Sequence, residues 1–102
     1  MSHPDYSVRI LPAAEDDLTE IVLYIAADRP SAAERLASQI EERLTLLSER
    51  PLIGRKPRDP DLARSGYRFL AIGACLIFYI VEGNTVYVHR ILHGARDYRR
   101  LL

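Results

Sequence analysis

Hydrophobic and polar positions follow two different periods along this chain. Tyr6, Val8 and Ile10 alternate with Ser7 and Arg9, which predicts a short strand over Tyr6 to Leu11. From Pro12 the period lengthens to that of a helix, with Ala14, Leu18, Ile21, Val22 and Ile25 on one face. Pro12 suits the first helical position, and Glu15, Asp16 and Asp17 complement the positive end of the helix dipole. The helix is expected to stop near Asp28, because Pro30 keeps Arg29 out of helical geometry. A second stripe follows, made of Ala33, Leu36, Ala37, Ile40, Leu44 and Leu47. Ser31 and Glu34 read as its capping box and Arg50-Pro51 as its end. So short a link folds the two helices into an antiparallel hairpin.

Residues 51–65 carry Pro51, Gly54, Pro57 and Pro60 and read as a loop. Three strand-like runs follow, Tyr67 to Ile72, Cys75 to Val81 and Thr85 to His93. Gly73-Ala74 and Gly83-Asn84 between them have the length of tight hairpin turns, so the runs form a three-stranded antiparallel meander. The class is α+β: strand, antiparallel helical hairpin, then meander. The hairpin should cover one face of the sheet and leave the other for function. Unbroken alternation puts Val86, Val88, Arg90 and Leu92 on one face of the last strand and Tyr87, His89, Ile91 and His93 on the other. If the strands pair in chain order, Arg68, Arg90, His93 and Arg96 can converge, and basic groups beside an imidazole suit phosphoryl chemistry. The competing reading has Arg68 and Arg90 pairing with acids such as Glu82 or solvating a sheet edge.

Composition narrows the classes. With 102 residues, 48% apolar and 27% charged, the chain has one folded domain's worth of sequence, residues 1–102, and disorder is excluded. The run Leu76 to Val81 falls far short of the roughly 20 apolar residues that span a bilayer. The first residues lack the basic and apolar parts of a secretion signal, and a lone cysteine makes no internal disulfide. Both features predict a cytoplasmic protein with no membrane partner. Cys75 reads as a small packed residue, and Tyr79 and Tyr87 as packing. His89 and His93 lie four apart on a strand without cysteine or carboxylate companions, so no metal is expected. No glycine-rich phosphate loop is present, and no cofactor is implied.

The net charge is zero but unevenly spread. Residues 1–50 hold ten acids and five bases, a net of −5; residues 51–102 hold four acids and nine bases, a net of +5. All the bases except Lys56 are arginine, whose planar fork fits carboxylate and phosphate. The densest positive stretch carries Arg90, Arg96, Arg99 and Arg100 against Asp97, which makes these arginines candidates for contact with an acidic target. The alternative is that Leu101 and Leu102 pin the tail while the arginines solvate it. Leu23, Tyr24 and Leu46 fall off the core stripes and are candidates for a binding groove, or for a wider buried face.

Six segments in order complete the sequence picture: D-L-x-x-I-x-x-Y-I from Asp17 to Ile25, P-x-A-A-x-R-L from Pro30 to Leu36, L-x-x-R-P-x-x-G-R from Leu47 to Arg55, G-Y-R from Gly66 to Arg68, I-F-Y-x-V from Ile77 to Val81, and R-I-L-H-G-A-R-D from Arg90 to Asp97. Together they cover nearly the whole chain, which thereby resembles the RelE/ParE superfamily of toxins from type II toxin–antitoxin modules. The resemblance implies the α+β order above and a small ParD-like antitoxin as partner, which binds and neutralises the toxin. It also implies one of two activities. RelE-like members are endoribonucleases that cleave mRNA on the ribosome; ParE-like members bind and inhibit DNA gyrase and are not nucleases. On the first, Arg68 would match an arginine of the central strand and His93 a C-terminal histidine, with Arg90, Arg96 and Tyr98 completing the site. Tyr98 is not adjacent to His93, lysine is nearly absent and the chain is neutral. These departures favour the ParE branch, in which the C-terminal region is tied to toxicity.

Overall fold

Strand gives way to helix at Pro12. The computed structural model describes residues 5–94 and 100–102. Strand β1 (Ser7–Ile10) leads into α1 (Pro12–Ala26), with Pro12 at its first turn. After three residues α2 (Pro30–Glu49) begins, with Pro30 in its first turn and Arg29 at the N-cap. The expected capping box therefore does not form: no side chain caps this helix, and Ser31 lies inside it. Proline's preset φ starts the helix one residue earlier than the Ser31 signal.

The segment 51–65 is not all loop. Asp59 accepts hydrogen bonds from the Asp61 and Leu62 N–H groups at 2.9 and 3.1 Å and so caps a short helix, α3 (Pro60–Arg64). Asp followed by Pro is a cap-and-first-position signal, legible in the sequence and overlooked there. Then come β2 (Tyr67–Ile72), β3 (Cys75–Glu82) and β4 (Thr85–His93). Gly73 and Gly83 supply φ of 57° and 60° at the two turns, which no other residue type takes so readily.

The sheet order is β1-β4-β3-β2, with β1 parallel to β4 and the rest antiparallel. Register assigns the faces, since paired residues share one. The inner row runs through Leu70, Ile72, Ile77, Tyr79, Val86, Val88 and Ile91, against Ala14 of α1 and Ile40 and Leu47 of α2. Unbroken alternation on β4 is overturned. The register slips between Phe78 and Tyr79: Tyr79 faces Val88, Phe78 faces Arg90, and His89 is the extra residue of a bulge. Beyond the bulge Ile91 takes the inner position that alternation assigned to Arg90 and Leu92. The opposite face is not bare, because Phe78 and Leu92 are both buried; the Phe69 and Phe78 rings lie 5.7 Å apart.

Candidate functional site

Arg68 and Arg90, which sequence spacing allowed to converge, are held apart by different partners. Arg68 lies on β2, an edge strand rather than a central one. Its Nη1 donates to the Leu52 and Gly54 carbonyls at 3.2 and 2.9 Å. The Gly54 N–H donates to the Tyr79 hydroxyl at 2.8 Å, and Arg55 and Phe69 exchange two backbone hydrogen bonds of 2.9 Å. The R-P-x-x-G-R loop is thus stapled to the sheet by the arginine of G-Y-R and the tyrosine of I-F-Y-x-V. Only glycine fits at 54: a Cβ there would sit 2.5 Å from the Tyr79 hydroxyl and 2.9 Å from the Phe69 carbonyl oxygen. Burial pushes the Tyr79 phenol above its ordinary pKa, against the opposing pull of the Gly54 N–H and Arg68.

Arg90 has a different partner. Its Nε and Nη2 grip the Asp17 carboxylate at 2.7 and 2.8 Å, a bidentate pair that is largely buried. Asp17 Oδ2 also accepts the Ile91 N–H at 3.0 Å. The remaining arm, Nη1, donates to the Leu101 carbonyl at 3.0 Å. The hydrogen bond to Asp17 raises the Arg90 pKa further, so the guanidinium is always charged. Glu82 was the acid suggested by spacing; the structure selects Asp17, 73 residues away in sequence. The D-L-x-x-I and R-I-L-H segments meet in this pair, and their common appearance was the only sequence signal for it.

His93 also lies beside α1. It is exposed at the end of β4 and lines a shallow depression with Glu20, Ile21, Tyr24 and Ile25 of α1. A second depression, at the tip of the hairpin, is lined by Tyr24, Ile25, Ala27, Asp28, Arg29 and Ala32. Tyr24 and Ile25 line both depressions; Tyr24 is 78% and Leu23 64% exposed. Leu46 is half-buried.

At the C-terminus Arg100 is exposed, and Leu101 and Leu102 are half-buried beside Leu11, Pro12, Ala13, Tyr67 and His89. The Tyr67 and His89 rings meet edge to face at 5.3 Å. Burial lowers the His89 pKa below its usual value, with Glu82 opposing. Arg96, Tyr98 and Arg99 lie outside the described residues. Cys75 is buried, and burial pushes its thiol pKa up, as suits a packed residue rather than a nucleophile. Among the described residues no group of three or more His, Cys, Asp or Glu side chains is placed to hold a metal ion, and no helix is long and apolar enough to cross a membrane.

The family model of the ParE toxin of type II toxin–antitoxin systems, parDE, matches residues 8–98. This chain belongs to that family. The ParE-family toxin shares its fold with a chain of the chromosomal ParDE toxin–antitoxin system of P. aeruginosa, at a TM-score of 0.73 and 20% identity, over 91% of this chain and 100% of that one. A chain of the RelBE2 toxin–antitoxin complex of Mycobacterium tuberculosis aligns at a TM-score of 0.62 and 26% identity, over 87% of this toxin and 98% of its own length. No curated protein sequence matches the toxin.

Proposed function

We propose that this ParE-family toxin acts in the cytoplasm by binding DNA gyrase through its arginine-rich C-terminal end, and that a ParD-like antitoxin neutralises it by covering the apolar face of α1. The observation that carries the gyrase reading is the engagement of Arg68 and Arg90. Each guanidinium is bonded to the fold itself, one to loop carbonyls and the other to Asp17 and Leu101. His93 lines the depression beside α1 with Glu20, Ile21, Tyr24 and Ile25. Phosphoryl transfer needs such groups free and convergent on one phosphate, so the arrangement supports an inhibitor that works by contact. Antitoxin docking on α1 is supported by the exposure of Leu23 and Tyr24 and by the depressions that Tyr24 and Ile25 line.

The test is a supercoiling assay with purified gyrase beside an mRNA-cleavage assay in a translation extract. Inhibited supercoiling with intact message is expected. Codon-specific cleavage, abolished by Arg68→Ala or His93→Ala, would replace the reading with the ribosomal one. Replacing Arg96, Arg99 and Arg100 together with alanine is expected to abolish inhibition of gyrase while antitoxin binding is retained.

A further inference from the structure

The Asp17–Arg90 pair does more than hold α1 to β4, because one arm of the guanidinium is left over for the chain's end. We propose that Arg90 latches the C-terminal turn, Arg100 to Leu102, in the position from which the toxin meets its target, and that Asp17 is the positioning residue that holds the latch. The inference rests on the gyrase-binding reading of the C-terminal end.

Three observations converge. First, Arg90 divides its donors: Nε and Nη2 engage both oxygens of Asp17, and Nη1 reaches the Leu101 carbonyl at 3.0 Å. A planar fork locked at two points has no freedom at the third, so the direction of Nη1 is set by Asp17. Second, Asp17 is itself fixed, by its buried place in α1 and by the Ile91 N–H at 3.0 Å. The bulge at His89 carries Arg90 off the inner row and lets it reach both partners. Third, the turn is seated by apolar packing. Leu101 and Leu102 are half-buried against the start of α1 and the Tyr67–His89 ring pair, while the Arg100 side chain is exposed. This turn pairs with no strand of the sheet.

The consequence is pre-organisation. A short arginine-bearing end that is free in solution must be ordered when it binds, and ordering each residue costs affinity. A latched end presents Arg100 to an acidic target already ordered. Arg90 then acts on the target through the turn it holds.

The experiment uses two full-length variants that break the latch on opposite sides. Arg90→Lys keeps a cation for Asp17, but one ammonium does not serve both carboxylate oxygens and the Leu101 carbonyl. Leu101→Gly with Leu102→Gly leaves Asp17 and Arg90 intact and removes the seat of the turn. The readouts are the rate of trypsin cleavage after Arg100, followed by the mass loss of the two terminal residues, gyrase inhibition, antitoxin affinity and melting temperature. Both variants are expected to be cleaved about tenfold faster and to inhibit gyrase about tenfold less, with antitoxin affinity unchanged and the glycine variant melting like the wild type. A general loss of structure would lower antitoxin affinity as well, which the latch does not predict. Unchanged cleavage in the glycine variant would overturn the latch. Faster cleavage with undiminished gyrase inhibition would overturn the positioning role. A wild-type protein inert towards gyrase would defeat the functional reading instead, and the latch would then stand or fall on the cleavage rates.

Discussion

Removing the carboxylate in Asp17→Ala strands three donors at once: two arms of Arg90 and the Ile91 N–H. The side chains of Asp17 and Arg90 are only 11% and 24% exposed, so water replaces the lost partner incompletely. Breaking a buried pair by deleting one member costs about 3–5 kcal/mol. Arg90's partial access to solvent places this case near the lower end, about 3 kcal/mol, and the orphaned amide adds about 1 kcal/mol. A domain of this size has about 5–15 kcal/mol of stability in total, so the variant should still fold at low temperature unless it lies at the lower end of that range, with a melting temperature lower by roughly 15–30 °C. Asp17→Asn keeps an acceptor but loses the charge, and should cost roughly half as much. The assay is urea unfolding of Asp17→Ala, Arg90→Met and the double variant. Because the two residues serve each other, the double variant should fall short of the sum by about 1.5 kcal/mol or more. Additive losses, or a cost for Asp17→Ala below about 1 kcal/mol, would refute the claim that this pair holds α1 to the sheet.

Further outcomes follow from other parts of the molecule. Gly54→Ala should destabilise by about 1–3 kcal/mol, because its Cβ meets the Tyr79 side chain and the Phe69 backbone. Adding Tyr79→Phe should recover part of that loss by removing the hydroxyl, which thermal melts of the single and double variants would show. Tyr24→Ser should change stability by no more than about 0.5 kcal/mol, given its 78% exposure, yet weaken antitoxin binding by about 2 kcal/mol or more in titration calorimetry. His89 titrates below the ordinary 6.5 because burial penalises its charged form. Below pH 6.5 the unfolded chain therefore binds the proton more readily than the folded one, and stability falls on acidification; above that pH it is fully present. His89→Gln should flatten this decline in melting temperatures taken between about pH 7.5 and about pH 5.

Local physics made much of the fold legible. Hydrophobic period and proline position are properties of neighbouring residues, so the two helices and four strands were readable to within a residue or two, as was the hairpin between the helices. The turns at Gly73 and Gly83 were legible for the same reason, since a positive φ asks for glycine wherever it occurs. The charge asymmetry and the off-stripe Leu23 and Tyr24 were equally plain, and the tertiary structure leaves both side chains at the surface. The start of α2 was misplaced by one residue because two local signals competed and proline's fixed φ outweighed the serine cap. What no local rule contains is the bulge at His89. One extra residue in β4 reverses the alternation after it, and the reversal is set by how β3 and β4 register across the sheet. With it goes the fate of the arginines. In the sequence Arg68 and Arg90 were equally open to convergence or to pairing with an acid such as Glu82, but tertiary packing decided that one faces two loop carbonyls and the other a carboxylate 73 residues away, because a guanidinium drawn out of water takes whichever acceptors the fold brings within reach.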